Sequence, residues 1–144
     1  MSMRRPPSDQ SPISSAEGLT ARWDDYLAHE PFRFRALWLM FLDVAGRPTG
    51  PVMTIDDLPD GPYDIDPLDL VLLCRGILDG PGGAGSVAML ISRDGGMPWT
   101  VSDRAWGRFL LMCGEEIGGQ VWPVHQAHRQ DLEVFVLPVV ASRG

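Results

Sequence analysis

The residues with the greatest chemical potential lie between a predicted strand and a predicted helix. Residues 86–92, SVAMLIS, have the pattern of a buried strand, and a glycine-rich loop separates them from a helix that begins near residue 101. A metal-dependent hydrolase would carry its ligands in such a loop. Here that place holds Ile91, Ser92 and Arg93, and an arginine side chain does not lose its proton to bind a metal ion. The spacing therefore predicts the architecture of a metal loop without its usual ligands.

A second pair of residues, Thr100 and Asp103, has the spacing of a helix cap. A hydroxyl at the first position, from Thr100 or Ser102, accepts a bond from an amide of the first turn, and a carboxylate there favours the positive end of the helix dipole. We therefore interpret these residues as capping residues. The alternative is a zinc site that uses Asp103 together with His125, although a catalytic zinc ion would want three protein ligands.

The same loop also predicts a binding surface. Arg93 and Asp94 are the polar residues that we expect to be exposed there, and Met97 and Trp99 are large apolar residues in a loop. Arginine, methionine and tryptophan are enriched at protein interfaces. Two alternatives stay open: Arg93 and Asp94 are simply solvated, and Trp99 is a lid folded over the start of the helix.

Three further patterns give weaker evidence of chemistry. Residues 80–85, GPGGAG, match a dinucleotide-binding fingerprint, but a helix precedes them and a strand follows, which inverts the context that this motif requires. The acidic stretch 56–69 lacks the ligand spacing of a calcium loop; we expect a solvated loop there, with a small-ligand site as the alternative. His125 and His128 would point to opposite faces of a strand, which argues against a shared metal ion.

Composition predicts a single soluble domain. The chain has 144 residues, of which 44% are hydrophobic and 22% charged, as in ordinary globular proteins. The net charge of −7 argues against a general nucleic-acid-binding protein, which would present a basic face. Cys74 and Cys113 lie in apolar helical patterns, so we expect buried, reduced thiols. With no signal-peptide or membrane-span pattern, we expect an acidic, cytoplasmic protein that does not bind membranes.

Hydrophobic periodicity predicts an α/β (α+β) fold in which one mixed sheet is covered by helices. Residues 1–15 are expected to form a disordered tail, and residues 16–140 a single domain. Its order is α-β-β-α-β-α-β-β. The predicted elements are a helix over 16–29, strands over 33–44 and 51–55, a helix from Asp66 to Gly80, a strand over 86–92, a helix over 101–117, and strands over 120–125 and 132–137.

Two of these helices have features that bear on packing. The helix that begins at Asp66 is apolar nearly all round, so we expect it to be deeply packed. In the helix over 101–117, Gly107 and Gly114 lie on nearly the same face, and each costs about 1 kcal/mol relative to alanine. Their presence predicts the close approach of another backbone, from within the chain or from a partner.

The order of the elements and several segments resemble the RadC branch of the JAB/MPN (JAMM) family, over about Arg33 to Leu137. ALWLMFLDVAGRPTG resembles the opening hairpin of the family, and DPLDLVLLCRGIL resembles its first core helix. SVAMLIS resembles the strand before the metal loop, and TVSDRAWGRFLLMCGEEIGGQVWPVH resembles the helix and strand that follow it. The resemblance implies the fold of that family.

Active members of the family bind zinc through H-x-H and a downstream Ser-x-x-Asp, and a glutamate from the opening hairpin moves the proton of the bound water. In this chain Ile91 and Arg93 stand at the histidine positions, and residues 100–103 keep the T/S-x-x-D pattern. The strand on which the glutamate would lie holds Pro51, Val52 and Met53 instead. The resemblance thus implies a degenerate member, a pseudoenzyme without a metal or other cofactor.

From these observations we expect a non-catalytic protein-binding or regulatory module. Its partner would be another protein or a second copy of the chain, bound through the 93–99 loop or the face of Gly107 and Gly114. The alternative comes from a different class: a metal-dependent hydrolase, peptidase- or isopeptidase-like or nuclease-like, with an atypical site.

Overall fold

The structure is a computed structural model that describes residues 2–28, 30, 32, 34–79, 85–96, 98–129 and 131–135. Within these residues the elements are β1 (Ser2–Arg4), α1 (Ala16–Leu27), β2 (Ala36–Leu42), β3 (Val52–Ile55), α2 (Pro67–Leu78), β4 (Ser86–Ser92), α3 (Val101–Ile117), β5 (His125–His128) and β6 (Asp131–Val134). The strands form one mixed sheet in the order β1-β3-β2-β4-β5-β6. This confirms the predicted α/β (α+β) fold with a single mixed sheet. No helix in the described ranges combines the length and the apolar character that crossing a membrane requires.

The centre of the sheet is the antiparallel pair β2 and β4. All seven residues of each strand are buried and paired with the other strand. Alternate residues of β2 enter two different cores: Leu37 and Leu39 pack with α2 and α3, whereas Trp38 and Met40 pack with α1. Because successive strand residues point to opposite faces, α1 covers one face of the sheet while α2 and α3 cover the other. The predicted double-sided burial within 33–44 is confirmed.

The connection between β2 and β3 is the predicted turn. Gly46 has a φ of +85°, a left-handed conformation that glycine adopts without steric cost. Its carbonyl accepts a hydrogen bond from the N–H of Ile13 at 2.8 Å. β3 then returns antiparallel to β2, as predicted from residues 51–55.

The prediction that residues 1–15 form a disordered tail is wrong for the residues described there. β1 pairs antiparallel with β3 and becomes an edge strand of the sheet. Ile13 is only 4% exposed and packs in the core beneath α1. Arg22, on α1, donates from Nη1 to the carbonyl of Asp9 at 2.9 Å. The polar composition of residues 1–15 does not indicate that Ile13 is buried. Nor does it indicate that Arg22, which lies outside this segment, donates hydrogen bonds to its backbone carbonyls.

The helix α2 begins as predicted and packs differently. The carboxylate of Asp66 accepts a hydrogen bond from the N–H of Leu68 at 3.0 Å, which caps the helix. The expected deep packing is wrong, however, since Leu68 and Leu72 are 55% and 59% exposed. A helix that covers one face of a sheet buries only one stripe unless a further layer lies outside it, and no such layer is present in the described residues. The buried residues of α2 are Leu70, Val71 and Cys74.

In α3 the predicted buried stripe is confirmed, and the two glycines have close neighbours within the chain. A Cβ atom at Gly107 would lie 2.6 Å from Cγ of Phe135, and one at Gly114 would lie 3.3 Å from Cε of Met89. The predicted approach of a backbone is therefore replaced by the approach of two side chains. This face of α3 is filled from within the molecule. The buried residues of α3 include Trp106, Phe109, Leu110, Cys113 and Ile117.

The last hairpin has a different register from the predicted one. Residues 126–131 were expected to form a polar turn between strands, but β5 consists of His125–His128 and all four of its residues are buried. The segment before His125, predicted as a strand over 120–125, is not part of the sheet. His125 of β5 finds a hydrogen-bond partner in Thr20 of α1, a contact between distant parts of the chain that hydrophobic periodicity does not report. Residues 80–84, which hold most of the rejected GPGGAG motif, lie outside the described residues.

Candidate functional site

Asp103 lies in the first turn of α3, directly after the loop that resembles a metal loop. The hydroxyl of Thr100 accepts a hydrogen bond from the N–H of Asp103 at 3.1 Å, and the Asp103 carboxylate accepts one from the N–H of Thr100 at 2.7 Å. The two residues thus form a reciprocal capping box. This confirms the interpretation of Thr100 and Asp103 as capping residues.

Two arginines also donate to the Asp103 carboxylate. Nε of Arg93 donates to both carboxylate oxygens, at 2.8 and 3.0 Å, and Nη1 of Arg35 donates to Oδ1 at 3.1 Å. The side chain of Asp103 is 3% exposed, and those of Arg35 and Arg93 are 10% and 12% exposed. We call this group the Arg35–Asp103–Arg93 cluster.

The cluster holds Asp103 in its ionised form. Burial by itself would raise the pKa of this carboxyl group, but hydrogen bonds from Arg93, from the N–H of Thr100 and from Arg35 outweigh burial and lower the pKa below its ordinary value. Four hydrogen bonds reach the two carboxylate oxygens. A metal ion would have to displace some of these donors before it could bind.

Arg93 also organises the loop that follows β4. Its Nη1 donates to the carbonyl of Asp94, and its Nη2 donates to the carbonyls of Gly96 and Pro98, at 3.0 to 3.1 Å. The guanidinium carbon lies 5.6 Å from the ring centroid of Trp99, within cation–π range. Every nitrogen of the guanidinium group therefore has an acceptor within the protein.

The structure gives three of the four predicted binding residues contacts within the chain. Arg93 belongs to the cluster, Trp99 is partly buried with its ring centroid 4.2 Å from that of His128, and exposed Asp94 pairs with Arg129. Hydrogen bonds from Arg129 and from a backbone amide lower the pKa of Asp94. The fourth residue, Met97, lies outside the described residues. A role of these residues in partner binding stays a prediction.

The structure does not bring together Asp103 and His125, the two residues of the alternative metal site. Nε2 of His125 is hydrogen bonded to Oγ1 of Thr20 in α1, at 2.6 Å. Asp103 belongs to α3, which covers the opposite face of the sheet. Burial lowers the pKa of His125 to about 4, so this imidazole is neutral at pH 7. Among the described residues, no group of three His, Cys, Asp or Glu side chains is placed to hold a metal ion.

The two cysteines are unsuited to nucleophilic chemistry. Cys74 and Cys113 are free and buried, as expected from their apolar helical patterns. Burial raises their pKa values to about 12 and about 11. The thiolate is the reactive form of a cysteine, and at neutral pH almost none is present at either position.

A larger feature, which the sequence interpretation missed, is an open groove of about 620 Å³ between α1 and the β5–β6 hairpin. One face of α1 contributes Glu17, Thr20, Ala21, Asp24, Leu27 and Ala28. The opposite wall of the groove includes Ala127, Asp131 and Leu132. The groove joins parts of the chain that are about 100 residues apart, and no local motif reveals it. The available signal was the spacing of Glu17, Thr20 and Asp24, which places them on one side of the predicted helix.

Comparison of the chain with protein-family models and with curated proteins finds no match. The resemblance to the RadC branch of the JAB/MPN family therefore stays a prediction, carried by the order of the elements and by local segments such as TVSD at residues 100–103. The residues of the site form an ion-pair cluster beside a loop, in which two guanidinium groups share one carboxylate.

Proposed function

We propose that the protein is a non-catalytic protein-binding module, built on a degenerate scaffold of the JAB/MPN type. The observation that carries the proposal is the Arg35–Asp103–Arg93 cluster. A carboxylate that binds zinc must offer an oxygen lone pair to the ion, and here the carboxylate oxygens are occupied by four hydrogen bonds. The two guanidinium groups also repel a divalent cation at the same place.

A binding role receives support from the outer face of α2 and α3. Leu68, Leu72 and Ile77 of α2 and Met112 of α3 are between 39% and 59% exposed. Isolated exposed apolar residues are ordinary, whereas a concentration of them on one helical layer is typical of interaction surfaces. Two free, buried thiols suit a reducing compartment, so we retain the cytoplasm as the proposed location.

The alternative, a metal-dependent hydrolase that uses Asp103 and His125, has less support because the two residues belong to opposite faces of the sheet. No second function is favoured by a specific contact. The proposal therefore assigns the loop after β4 a structural role and leaves partner binding to other surfaces or to the exposed side of the loop.

Zinc content tests the proposal directly. The protein, purified in the presence of zinc and then dialysed, should contain only substoichiometric zinc by elemental analysis. One tightly bound zinc ion per chain would overturn the proposal, because the cluster would then be an alternative state of a working metal site.

A paired variant tests the scaffold itself. The double substitution Ile91→His with Arg93→His restores H-x-H at the positions that the resemblance assigns, on the side of the sheet that carries Asp103. We expect this variant to take up zinc when the wild-type protein does not. Its failure to do so while folded, as judged by circular dichroism, would contradict the JAB/MPN resemblance and leave the non-catalytic role standing.

A further inference from the structure

We propose that the groove between α1 and β6 binds an extended, basic peptide segment of a partner protein, which adds as a further strand to the open edge of β6. This inference rests on the proposed binding function and names a partner chemistry for it. Strand addition at a sheet edge is a common mode of peptide recognition, in which backbone hydrogen bonds supply affinity and alternate side chains supply specificity.

The hydrogen bonding of β6 shows which backbone groups face its outer edge. β6 is the last strand in the sheet order, and within the described residues no strand lies beyond it. The N–H of Phe135 donates to the carbonyl of Val124 at 2.7 Å. In an antiparallel ladder, residues alternate between facing the neighbouring strand and facing away, so Leu132 and Val134 direct their amides outward.

Leu132 bears this out. Its N–H donates to Oδ1 of Asp131 at 2.9 Å and not to β5. The outward amide is therefore covered only by the side chain of the preceding residue. A backbone carbonyl of an incoming strand can take the place of that carboxylate oxygen, which is how an edge amide normally finds a partner strand.

The shape of the groove fits an extended chain. Its α1 wall runs from Glu17 to Ala28 along one face of the helix, a length of about 17 Å at 1.5 Å per residue. A peptide of five residues in strand conformation covers about the same length at about 3.4 Å per residue. A compact ligand would occupy only part of such a groove.

The charge of the groove selects a basic segment. Glu17, Asp24 and Asp131 line it, and no described residue forms an ion pair with any of these three carboxylates. Arg129, the cation among the described lining residues, is already paired with Asp94. The groove therefore presents an excess of negative charge toward an approaching peptide, and arginine or lysine side chains complement it.

Glu133, which alternates with Leu132 and does not line the groove, adds negative charge to the other face of the same edge strand. Burial and the carboxylate of Asp131 raise the pKa of Glu133 on the same edge strand. A cation that binds between like charges relieves their repulsion. The aliphatic stems of arginine or lysine side chains that enter the groove can pack against Leu27, Phe32 and Leu132, while the alternate residues of the peptide point away from it.

A second copy of this chain fits the groove poorly. The chain carries a net charge of −7, and pairing of two β6 edges would bring Asp131 and Glu133 against the same residues of the other copy. Like charges opposite each other destabilise a strand pair. Acidic residues on an edge strand thus prevent self-association while admitting a strand of opposite charge.

The probe for the first experiment is a fluorescein-labelled peptide of eight residues that alternates arginine and valine. Fluorescence anisotropy at low salt should show saturable binding, and a peptide that alternates glutamate and valine should not bind. Asp24→Lys should weaken binding of the arginine–valine peptide about tenfold at low salt, because the substitution replaces an attraction with a repulsion; a tenfold change corresponds to about 1.4 kcal/mol.

Asp64→Lys is the matched control. Asp64 is exposed in the loop before α2, outside the groove, and its substitution changes the net charge by the same amount as Asp24→Lys. We expect Asp64→Lys to bind the peptide like the wild-type protein. Equal weakening in both variants would reduce the binding to general electrostatic attraction and overturn the proposed site.

A second experiment tests the backbone contacts. Leu132→Pro removes the outward N–H without removing a hydrogen bond to β5, because edge positions tolerate proline; Leu132→Ala shortens the side chain and keeps the N–H. Both variants should remain folded by circular dichroism, and Leu132→Pro should bind the peptide clearly more weakly than Leu132→Ala. Equal affinities, or no saturable binding to the wild-type protein, would overturn strand addition. The zinc content of the same protein is measured separately, so a failure of strand addition is distinguishable from a failure of the proposed non-catalytic function.

Discussion

Asp103→Asn should cost most of the stability that the Arg35–Asp103–Arg93 cluster supplies. Asparagine has nearly the same shape and retains one oxygen for the N–H of Thr100, so the cap is partly kept. The two guanidinium groups, 10% and 12% exposed, lose the negative charge between them. Removing one partner of a buried ion pair costs about 3–5 kcal/mol, and we expect about 3 kcal/mol for this isosteric change.

The corresponding change in melting temperature follows from the chain length. Domains somewhat larger than this one lose about 2–4 °C for each kcal/mol, so Asp103→Asn should melt about 6–12 °C below the wild-type protein. Asp69→Asn is a matched control, because Asp69 occupies the same position in the first turn of α2 but is exposed. The Asp69→Asn variant should lose no more than about 0.5 kcal/mol of unfolding free energy.

The pH dependence supplies a second test of the same cluster. The pKa of Asp103 is lowered in the folded protein, while an unfolded aspartate titrates near about 3.9. The stabilisation is therefore fully present above about pH 4 and is lost as the pH falls through the lowered pKa of the folded state. The difference between wild-type protein and Asp103→Asn should shrink below about pH 4.

Urea unfolding followed by the fluorescence of the five tryptophans measures both effects. A cost at pH 7 no larger than that of Asp69→Asn would refute the reasoning. So would a cost that stays constant as the pH falls below about 3, because the stabilisation would then not depend on the charge of the Asp103 carboxylate.

Three further predictions concern His125 and Gly107, which are buried, and Gly76, which is exposed. Burial lowers the pKa of His125 to about 4, so between about pH 6.5 and pH 4 this imidazole is protonated in the unfolded state and neutral in the folded state. The free energy of unfolding should therefore fall by up to about 3 kcal/mol over this pH range. In urea titrations at each pH, His125→Gln should lose less unfolding free energy than the wild-type protein over the same range. A flat wild-type profile would contradict this. Gly107→Ala should destabilise by about 1–3 kcal/mol, because a Cβ there would lie 2.6 Å from Cγ of Phe135. A Cβ at Gly76 would have no atom within 4 Å apart from its chain neighbours and the backbone of its own helix, so Gly76→Ala should stabilise α2 by up to about 1 kcal/mol. Shifts in melting temperature of the same sign for Gly107→Ala and Gly76→Ala would contradict these two predictions.

The parts of the fold that depend on local patterns could be predicted from the sequence. β2 and β4 are continuous apolar runs, and α1 carries Trp23 and Tyr26 at helical spacing. The caps Asp66 and Thr100 act within three residues of their partners, so sequence spacing alone reveals them. In these cases the residues whose interaction determines the structure lie close together in the sequence.

Other features depend on distant partners and could not be predicted in that way. Arg35 reaches Asp103 across 68 positions, and nothing near either residue indicates the contact. The polar segment of β5 is a strand because the rest of the molecule buries it, with Thr20 as partner of His125. The exposure of α2 depends on how many layers the molecule has, a property that helical periodicity does not contain.

The placement of β1 bears on which strands of this molecule can pair with another chain in solution. The outer edge of β3 is paired with residues 2–4 of the same chain, which are tethered nearby through Ile13 and Arg22. A tethered strand acts at an effective concentration of about the millimolar range, well above that of competing chains in a dilute solution, so it excludes them from that edge. β6 has no such tethered strand among the described residues. Backbone pairing with a competing chain is therefore disfavoured at the edge of β3 but not at that of β6, while β1 itself, three residues long, forms the other end of the sheet.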